Sequence, residues 1–310
     1  KQKVLDDYYK LTKYKKFMGP DLVTLNRESL NMEKKGNIFR NYLVTEKADG
    51  ERYLLYVNMD KKGYLINKNL EVKDSGKNFP KTNGEWLIDG EYITKDKDNI
   101  DINLYMIFDV YFATDETSEP AHMYPFYMQK GIDNSRKDIL ELFKYIVDNS
   151  KNNENVISLN IGFKQYLEGN IKLQKNPKIL TKSKELLLKG GYMKEGGKWK
   201  YKKENNNYTY KIDGLIYLPS NLSVKGDYNG NDPKDISGRW YYNYKWKPPE
   251  ENTIDFKVEV YKEKDKNSKR YNEVAFMYSK KINDSNIIDY SYKKLILQVG
   301  YSIQLDDINF

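Results

Sequence analysis

Cysteine is absent from this chain of 310 residues, which excludes a disulfide framework and any thiolate metal site. Histidine is nearly absent, since only His122 could offer an imidazole, so a bound metal must be held by oxygen, which points to magnesium or manganese. No apolar run approaches the length of a membrane span and no signal-like start is present. The expectation is therefore a soluble, intracellular and cytoplasmic protein. The first residue is lysine, not methionine, which suggests a fragment or a processed chain.

What is present suits a folded protein: 39% hydrophobic residues is enough for a real core, and 32% charged is ordinary for a globular surface. The balance of 53 Lys and Arg against 45 Asp and Glu gives +8, a surplus that fits a polyanionic partner such as RNA or a nucleotide.

Hydrophobic periodicity predicts an N-terminal helical segment over 1–30, with Val4, Leu5, Tyr8, Tyr9 and Leu11 on one side before Gly19-Pro20 stops the pattern. From Asn41 the period becomes strand-like. Antiparallel hairpins are expected at Tyr42–Val57, turning at Asp49-Gly50, and at Glu85–Ile93, turning at Asp89-Gly90, with apolar strand 104–112 after them. Ser135 reads as the N-cap of an amphipathic helix, a second helix follows Thr181, and Trp199–Lys203 with Tyr208–Lys211 reads as a further hairpin. Residues 220–238 read as a mobile surface loop, and His122 as exposed and without a role. Pro248-Pro249 marks a boundary, giving a main domain over 31–250 and a smaller one over 251–310, with strands at 254–261, 274–278 and 295–303.

Chemistry concentrates at strand ends. In Thr45-Glu46-Lys47-Ala48-Asp49-Gly50-Glu51-Arg52 a lysine and an arginine flank a tight turn, a site for holding a phosphate and attacking it. Further along come Asp89-Gly90-Glu91, Phe108-Asp109, Asp213-Gly214-Leu215-Ile216 and Lys245-Trp246-Lys247. A lysine attacks only as the free amine, and nearby cations such as Arg52, Lys245, Lys247 and a divalent metal would lower its pKa. Lys245 and Lys247, on alternate positions of one strand, point the same way, so Trp246 packs on the opposite side.

In this order the five motifs resemble those of the covalent nucleotidyltransferases, the ATP-dependent polynucleotide ligases and mRNA capping guanylyltransferases. Asp213 in place of glutamate, and the run Tyr244-Lys245-Trp246-Lys247-Pro248-Pro249-Glu250-Glu251-Asn252-Thr253-Ile254-Asp255-Phe256, resemble the guanylyltransferase version, especially that of large DNA viruses and related cytoplasmic capping enzymes. The resemblance implies an α+β fold: an antiparallel-sheet nucleotidyltransferase domain followed by a short OB-like β-barrel. The chain after Phe256 is short for a full barrel and contains no Arg-x-Asp-Lys element, so a reduced barrel or a fragment of a longer enzyme is expected.

By the same resemblance Lys47 would be the nucleophile on GTP, forming a lysyl-GMP intermediate that is passed to the 5′-diphosphate end of RNA. Arg52 and Glu91 would hold the ribose, with Glu46 beside the nucleotide and Lys68 adding a cation. Phe108 would stack on guanine, Lys182 would read the guanine carbonyl, Lys245 and Lys247 would face the phosphates, and Glu91 with Asp213 would hold Mg2+ or Mn2+. Triphosphatase and cap methyltransferase domains or subunits would be further partners.

Duller readings stand beside these. Phe108 could be core, Lys68 and Lys182 solvated, and Asp89 and Asp109 organisers of turns and strand ends. Other functions remain open: an RNA or DNA ligase using ATP, a nucleotide-binding module in which Lys47 is inert, or an RNA-binding platform using basic charge and the 29 tyrosines.

Overall fold

The computed structural model describes residues 1–127, 131, 134–153, 156–169, 178–249, 256–264, 271–283 and 286–299. Contacts divide the chain into two compact units, Lys1–Glu251 and Asn252–Phe310. The architecture is mixed α+β and dominated by sheet.

The first unit opens with helix α1 (Gln2–Thr12), which buries Val4, Tyr8 and Thr12 and ends on Lys13 in the left-handed region. Seven strands follow: β1 (Pro20–Thr24), β2 (Tyr42–Ala48), β3 (Glu51–Val57), β4 (Lys62–Asn67), β5 (Val72–Asn78), β6 (Trp86–Lys95) and β7 (Asp101–Ala113). Helix α2 (Arg136–Asp148) starts where expected, because the Ser135 side chain accepts the Asp138 N–H at 3.2 Å. It turns Ile139, Leu140, Phe143 and Ile146 inward, and Phe143 meets Trp86 with ring centroids 5.0 Å apart. Then come β8 (Lys151–Asn152), β9 (Asn160–Phe163), β10 (Leu167–Glu168), α3 (Lys178–Lys189), β11 (Gly190–Glu195), β12 (Lys198–Asn206), β13 (Ile212–Pro219) and β14 (Gly238–Trp246).

These strands form two main sheets. One has the order β8-β5-β4-β3-β6-β7-β9, the other β1-β14-β13-β2-β10, and β11 with β12 forms a separate ribbon. Most pairs are antiparallel, but β1–β14 and β7–β9 are parallel. One buried cluster joins α1 and α2 to the larger sheet; a second gathers Val44, Ile179, Leu186, Ile212 and Leu215 around the smaller one.

Several local expectations fail for identifiable reasons. Asp49-Gly50 closes no hairpin: β2 pairs with β13 and β10, β3 with β4 and β6, so the two residues carry the chain from one sheet to the other. Asp89-Gly90 is not a turn but lies inside β6, where the register against β7 shifts. Gly90 is needed there because a Cβ would lie 2.4 Å from the Tyr105 ring. The partner of β12 is β11, turning at Gly196-Gly197, and Tyr208–Lys211 is not a strand. Helix α3 begins before Thr181 and contains it.

The 220–238 segment is packed, with Val224 and Ile236 buried and the Trp240 indole N–H donating to the Gly226 carbonyl at 3.0 Å. His122 is also buried, at 2% exposure, edge-on to Phe112, and its carbonyl accepts the Val224 N–H at 2.8 Å. Sequence polarity around His122 concealed that the two loops cover each other.

The second unit pairs its strands as three antiparallel ladders: β15 (Phe256–Val260) with β20 (Leu295–Val299), β16 (Lys262–Lys264) with β17 (Tyr271–Glu273), and β18 (Ala275–Asn283) with β19 (Asn286–Lys293). The expected strand residues 254–255 and 300–303, and motif residues 250–255, lie outside the described residues. Among the described residues no helix is long and apolar enough to cross a membrane.

Candidate functional site

A cavity of about 580 Å3 is lined by strands of both main sheets. β2 supplies Lys47, β13 Ile216, and β14 Arg239 and Lys245; the larger sheet supplies Arg52, Glu91 and Phe108. Such a volume suits a small molecule held between two walls. Lys68 also lines it, but its ammonium meets Asp21 at 2.6 Å, and this pairing holds the Asp21 carboxyl below its ordinary pKa against the opposing effect of burial.

Strand alternation separates Lys47 from its neighbour. Lys47 points into the cavity, whereas Glu46 lines a second cavity on the other side, where its carboxylate accepts from Tyr210 at 2.9 Å and Thr45 at 2.7 Å. The expectation of Glu46 beside the nucleotide is therefore not met by its side chain.

Asp213 reaches Lys47 through an irregularity. Regular alternation would put it on the face of Leu215 and Tyr217, but the register against β2 shifts between Ile212 and Gly214. Gly214 sits at φ +151°, and a Cβ there would come 2.1 Å from the Trp246 carbonyl oxygen. The bulge lets one carboxylate hold two lysines, Lys47 at 2.9 Å and Lys247 at 2.7 Å. Trp246, between the two C-terminal lysines, packs against the smaller core cluster as the alternation requires.

Arg52 is the most enclosed cation of the cavity. It donates to Asp89 at 3.0 and 2.5 Å, to the Pro20 carbonyl at 2.7 Å and to Tyr111 at 3.2 Å. Burial opposes its charge, but Asp89 outweighs this and raises its pKa. Its guanidinium carbon lies 5.4 Å from the Phe17 ring centroid and 5.9 Å from that of Phe108.

The carboxylate of Glu91, the register partner of Arg52, has no hydrogen bond or ion pair among the described residues. Burial raises its carboxyl pKa, with Lys164, Lys47 and Arg52 pulling the other way. An unpartnered acidic group on a cavity wall fits a cation. Yet among the described residues no cluster of three or more acidic or imidazole groups could hold a metal by itself. The donor set fits an ion that completes its shell with ligand phosphates.

Phe108 is half-buried on the cavity wall, not core. Sequence reasoning missed Lys164, whose Nζ stands 5.3 Å from the Phe108 ring centroid and donates to the Glu46 carbonyl at 3.2 Å. It missed Arg239 as well. Only the topology places them: β9 runs parallel beside β7, which brings Lys164 next to Phe108. Lys182, by contrast, lies on α3 paired with Glu185 at 2.8 Å and is not among the cavity residues. Asp109 faces Arg136 at 2.7 Å in the interior, which is the organising role.

A two-sheet cleft with a strand-borne lysine, a carboxylate beside it and further cations around it suits a small anionic ligand. Residues 1–158 match the family model described as mRNA capping enzyme, catalytic domain, and the chain belongs to that family. It is 30% identical over 282 residues to a probable mRNA-capping enzyme of Acanthamoeba polyphaga mimivirus, covering 84% of this chain and 23% of that protein. To an mRNA-capping enzyme of Caenorhabditis elegans it is 26% identical over 263 residues, covering 81% of this chain and 35% of the relative. The chain thus spans about a third or less of these relatives' length. Among solved structures, the ligase domain of M. tuberculosis LigD aligns with 79% of this chain and 62% of its own at 11% identity and TM-score 0.38. A structure titled Pmar-Lig_PreS3 aligns with 98% and 61% at 14% identity and TM-score 0.43.

Proposed function

We propose that this chain is an mRNA guanylyltransferase that takes GTP and passes GMP to the 5′-diphosphate end of RNA. The observation that carries the reading is Lys47 at the mouth of a nucleotide-sized cavity, with Asp213 bridging it to Lys247.

In the first step the Lys47 Nζ attacks the α-phosphorus of GTP. An N–P bond forms, the bond to the β-phosphate oxygen breaks, pyrophosphate leaves, and the amine gives up a proton. In the second step a terminal oxygen of the RNA diphosphate attacks the same phosphorus; the N–P bond breaks and Lys47 regains its proton. An ammonium held by a carboxylate has no lone pair to offer, so Asp213 must exchange Lys47 for another cation before attack.

Lys245, Lys247 and Arg239 neutralise phosphate charge, and Lys68 joins them when it leaves Asp21. Phe108 and Ile216, from the two sheets, enclose the base, and Lys164 stands at its edge. Arg52 has spent most of its donors on protein; the Nη1 hydrogen not taken by Pro20 is the one left for a ribose hydroxyl. Glu91 and Asp213 would hold Mg2+ or Mn2+, which when bound would supply charge neutralisation at the phosphates. Residues 251–310 are read as belonging to an OB-like domain, and triphosphatase and cap methyltransferase domains or subunits as partners.

The test is incubation with α-labelled GTP or ATP and magnesium, followed by a denaturing gel. Label from GTP alone, lost in Lys47→Ala, is the expected result. Label from ATP instead would make the chain a ligase, and no label from either would overturn the enzymatic reading.

A further inference from the structure

The β11–β12 ribbon takes no part in the cavity. Its turn residues Gly196 and Gly197 have open space around them, with nothing within 4 Å of an added Cβ. Alternation along β12 sets Lys198, Lys200 and Lys202 on one face and Trp199 and Tyr201 on the other. The aromatic pair packs against the smaller core cluster, which fixes the lysine face outward.

That face carries surplus positive charge. Three lysines stand there against Glu195, which serves Lys200 at 3.4 Å and Lys202, and Glu204, next on the same alternation, while Lys198 has no ion pair among the described residues. Lysines on every second residue repeat about every 7 Å, a spacing comparable to that of successive phosphates in an extended single strand. The nine residues of β12 span roughly 30 Å.

The base of the ribbon is tied to the chemistry. Lys97 Nζ donates to the Asn206 carbonyl at 2.6 Å, Asp49 N–H donates to the Lys211 carbonyl at 3.0 Å, and the next residues are Ile212 and Asp213 of β13. A strand of polyanion lying along the lysine face would therefore run toward the end of the ribbon that feeds the Lys47–Asp213 pair.

We infer that the lysine face of the β11–β12 ribbon, centred on Lys198, Lys200 and Lys202, binds the single-stranded RNA downstream of the 5′ end on which the proposed guanylyl transfer acts. The inference rests on that proposed function. Recognition is electrostatic and without sequence preference, because the aromatic rings face inward.

The test uses the 310-residue chain, wild type, with Lys198→Ala, Lys200→Ala and Lys202→Ala combined, and with the three corresponding Lys→Arg changes combined. Binding of a fluorescent 20-nucleotide RNA bearing a 5′-monophosphate is measured against salt, beside lysyl-GMP formation from GTP. Each lost phosphate contact on a single strand removes about 0.7 from the slope of log affinity against log salt, so the alanine variant should lose about 2 and bind about tenfold more weakly at moderate salt. The arginine variant should bind as the wild type does, and both should label normally. Unchanged RNA binding in a labelling-competent alanine variant overturns the inference and leaves the guanylyltransferase reading intact. Loss of binding to a phosphoserine-rich peptide in place of RNA also overturns it, making the face a protein-docking surface. If the wild type fails to label yet the alanine variant loses RNA binding, the surface stands and the guanylyltransferase reading falls.

Discussion

The guanidinium of Arg52 reaches diagonally across β3 and β6 to Asp89, at 2.5 Å, instead of straight across to its register partner Glu91. Glu91 is thereby left for whatever enters the cavity. Replacing Asp89 by alanine strands a buried cation and should destabilise the first unit by about 3–5 kcal/mol. Urea unfolding measures this, and Asp89→Asn should cost less because it keeps an acceptor. Where the variant folds, Arg52 can swing to Glu91, and GTP labelling should fall with it.

Phe108 and Lys245 should separate binding from chemistry. Phe108→Ala removes a ring from the cavity wall and should raise KM for GTP about tenfold with a smaller change in the labelling rate, as loss of one stacking partner predicts. Lys245→Ala should instead lower the rate of lysyl-GMP formation by about a hundredfold. Rapid-quench labelling over a range of GTP concentrations distinguishes the two, and equal effects on both parameters would contradict the assignment.

Lys164 and Lys182 make a paired test of the topology. Lys164→Ala should impair labelling, while Lys182→Ala, outside the cavity lining and paired with Glu185, should change it by less than about twofold, as surface substitutions do. The opposite ranking would restore the motif-based assignment of Lys182.

His122 should make stability depend on pH. Burial, with the charge of Arg136, lowers its pKa from 6.5 to about 4, so between those values the unfolded chain binds a proton that the folded chain does not. Stability from this group is whole above about pH 6.5 and falls by up to about 1.4 kcal/mol per unit as pH drops toward 4. In thermal melts the stability of wild type relative to His122→Phe should fall from pH 7 to pH 5, and an unchanged difference would contradict a buried neutral imidazole.

The N-terminal helix, the Ser135 cap and the strand character of β2, β3 and β7 were legible because each depends on residues close in sequence. The residues around Lys47 were legible as a set for the same reason, each motif being a short polar run among apolar strand residues, although Asp89-Gly90-Glu91 and Phe108-Asp109 lie inside β6 and β7 and not at strand ends. Pairing was not. Asp49-Gly50 has the composition of a hairpin turn, and nothing local says that β2 and β3 leave it for different sheets. Lys164 carries no local signal either, since its place beside Phe108 comes from a parallel edge strand distant in sequence. The burial of His122 is not legible locally, because its sequence neighbours are polar while another loop lies over them.

The passage from β2 to β3 through Asp49 and Gly50 makes those two residues the spine of an open book. Lys47 is printed near the spine on one page and Arg52 near it on the other, so this short connection sets how far apart the two cations stand on the cavity wall. Toward the outer margin Lys68 and Asp21 join the two pages by an ion pair at 2.6 Å. The two cations nearest the spine are therefore held in place by the covalent chain, and the two pages meet at the margin through a salt bridge.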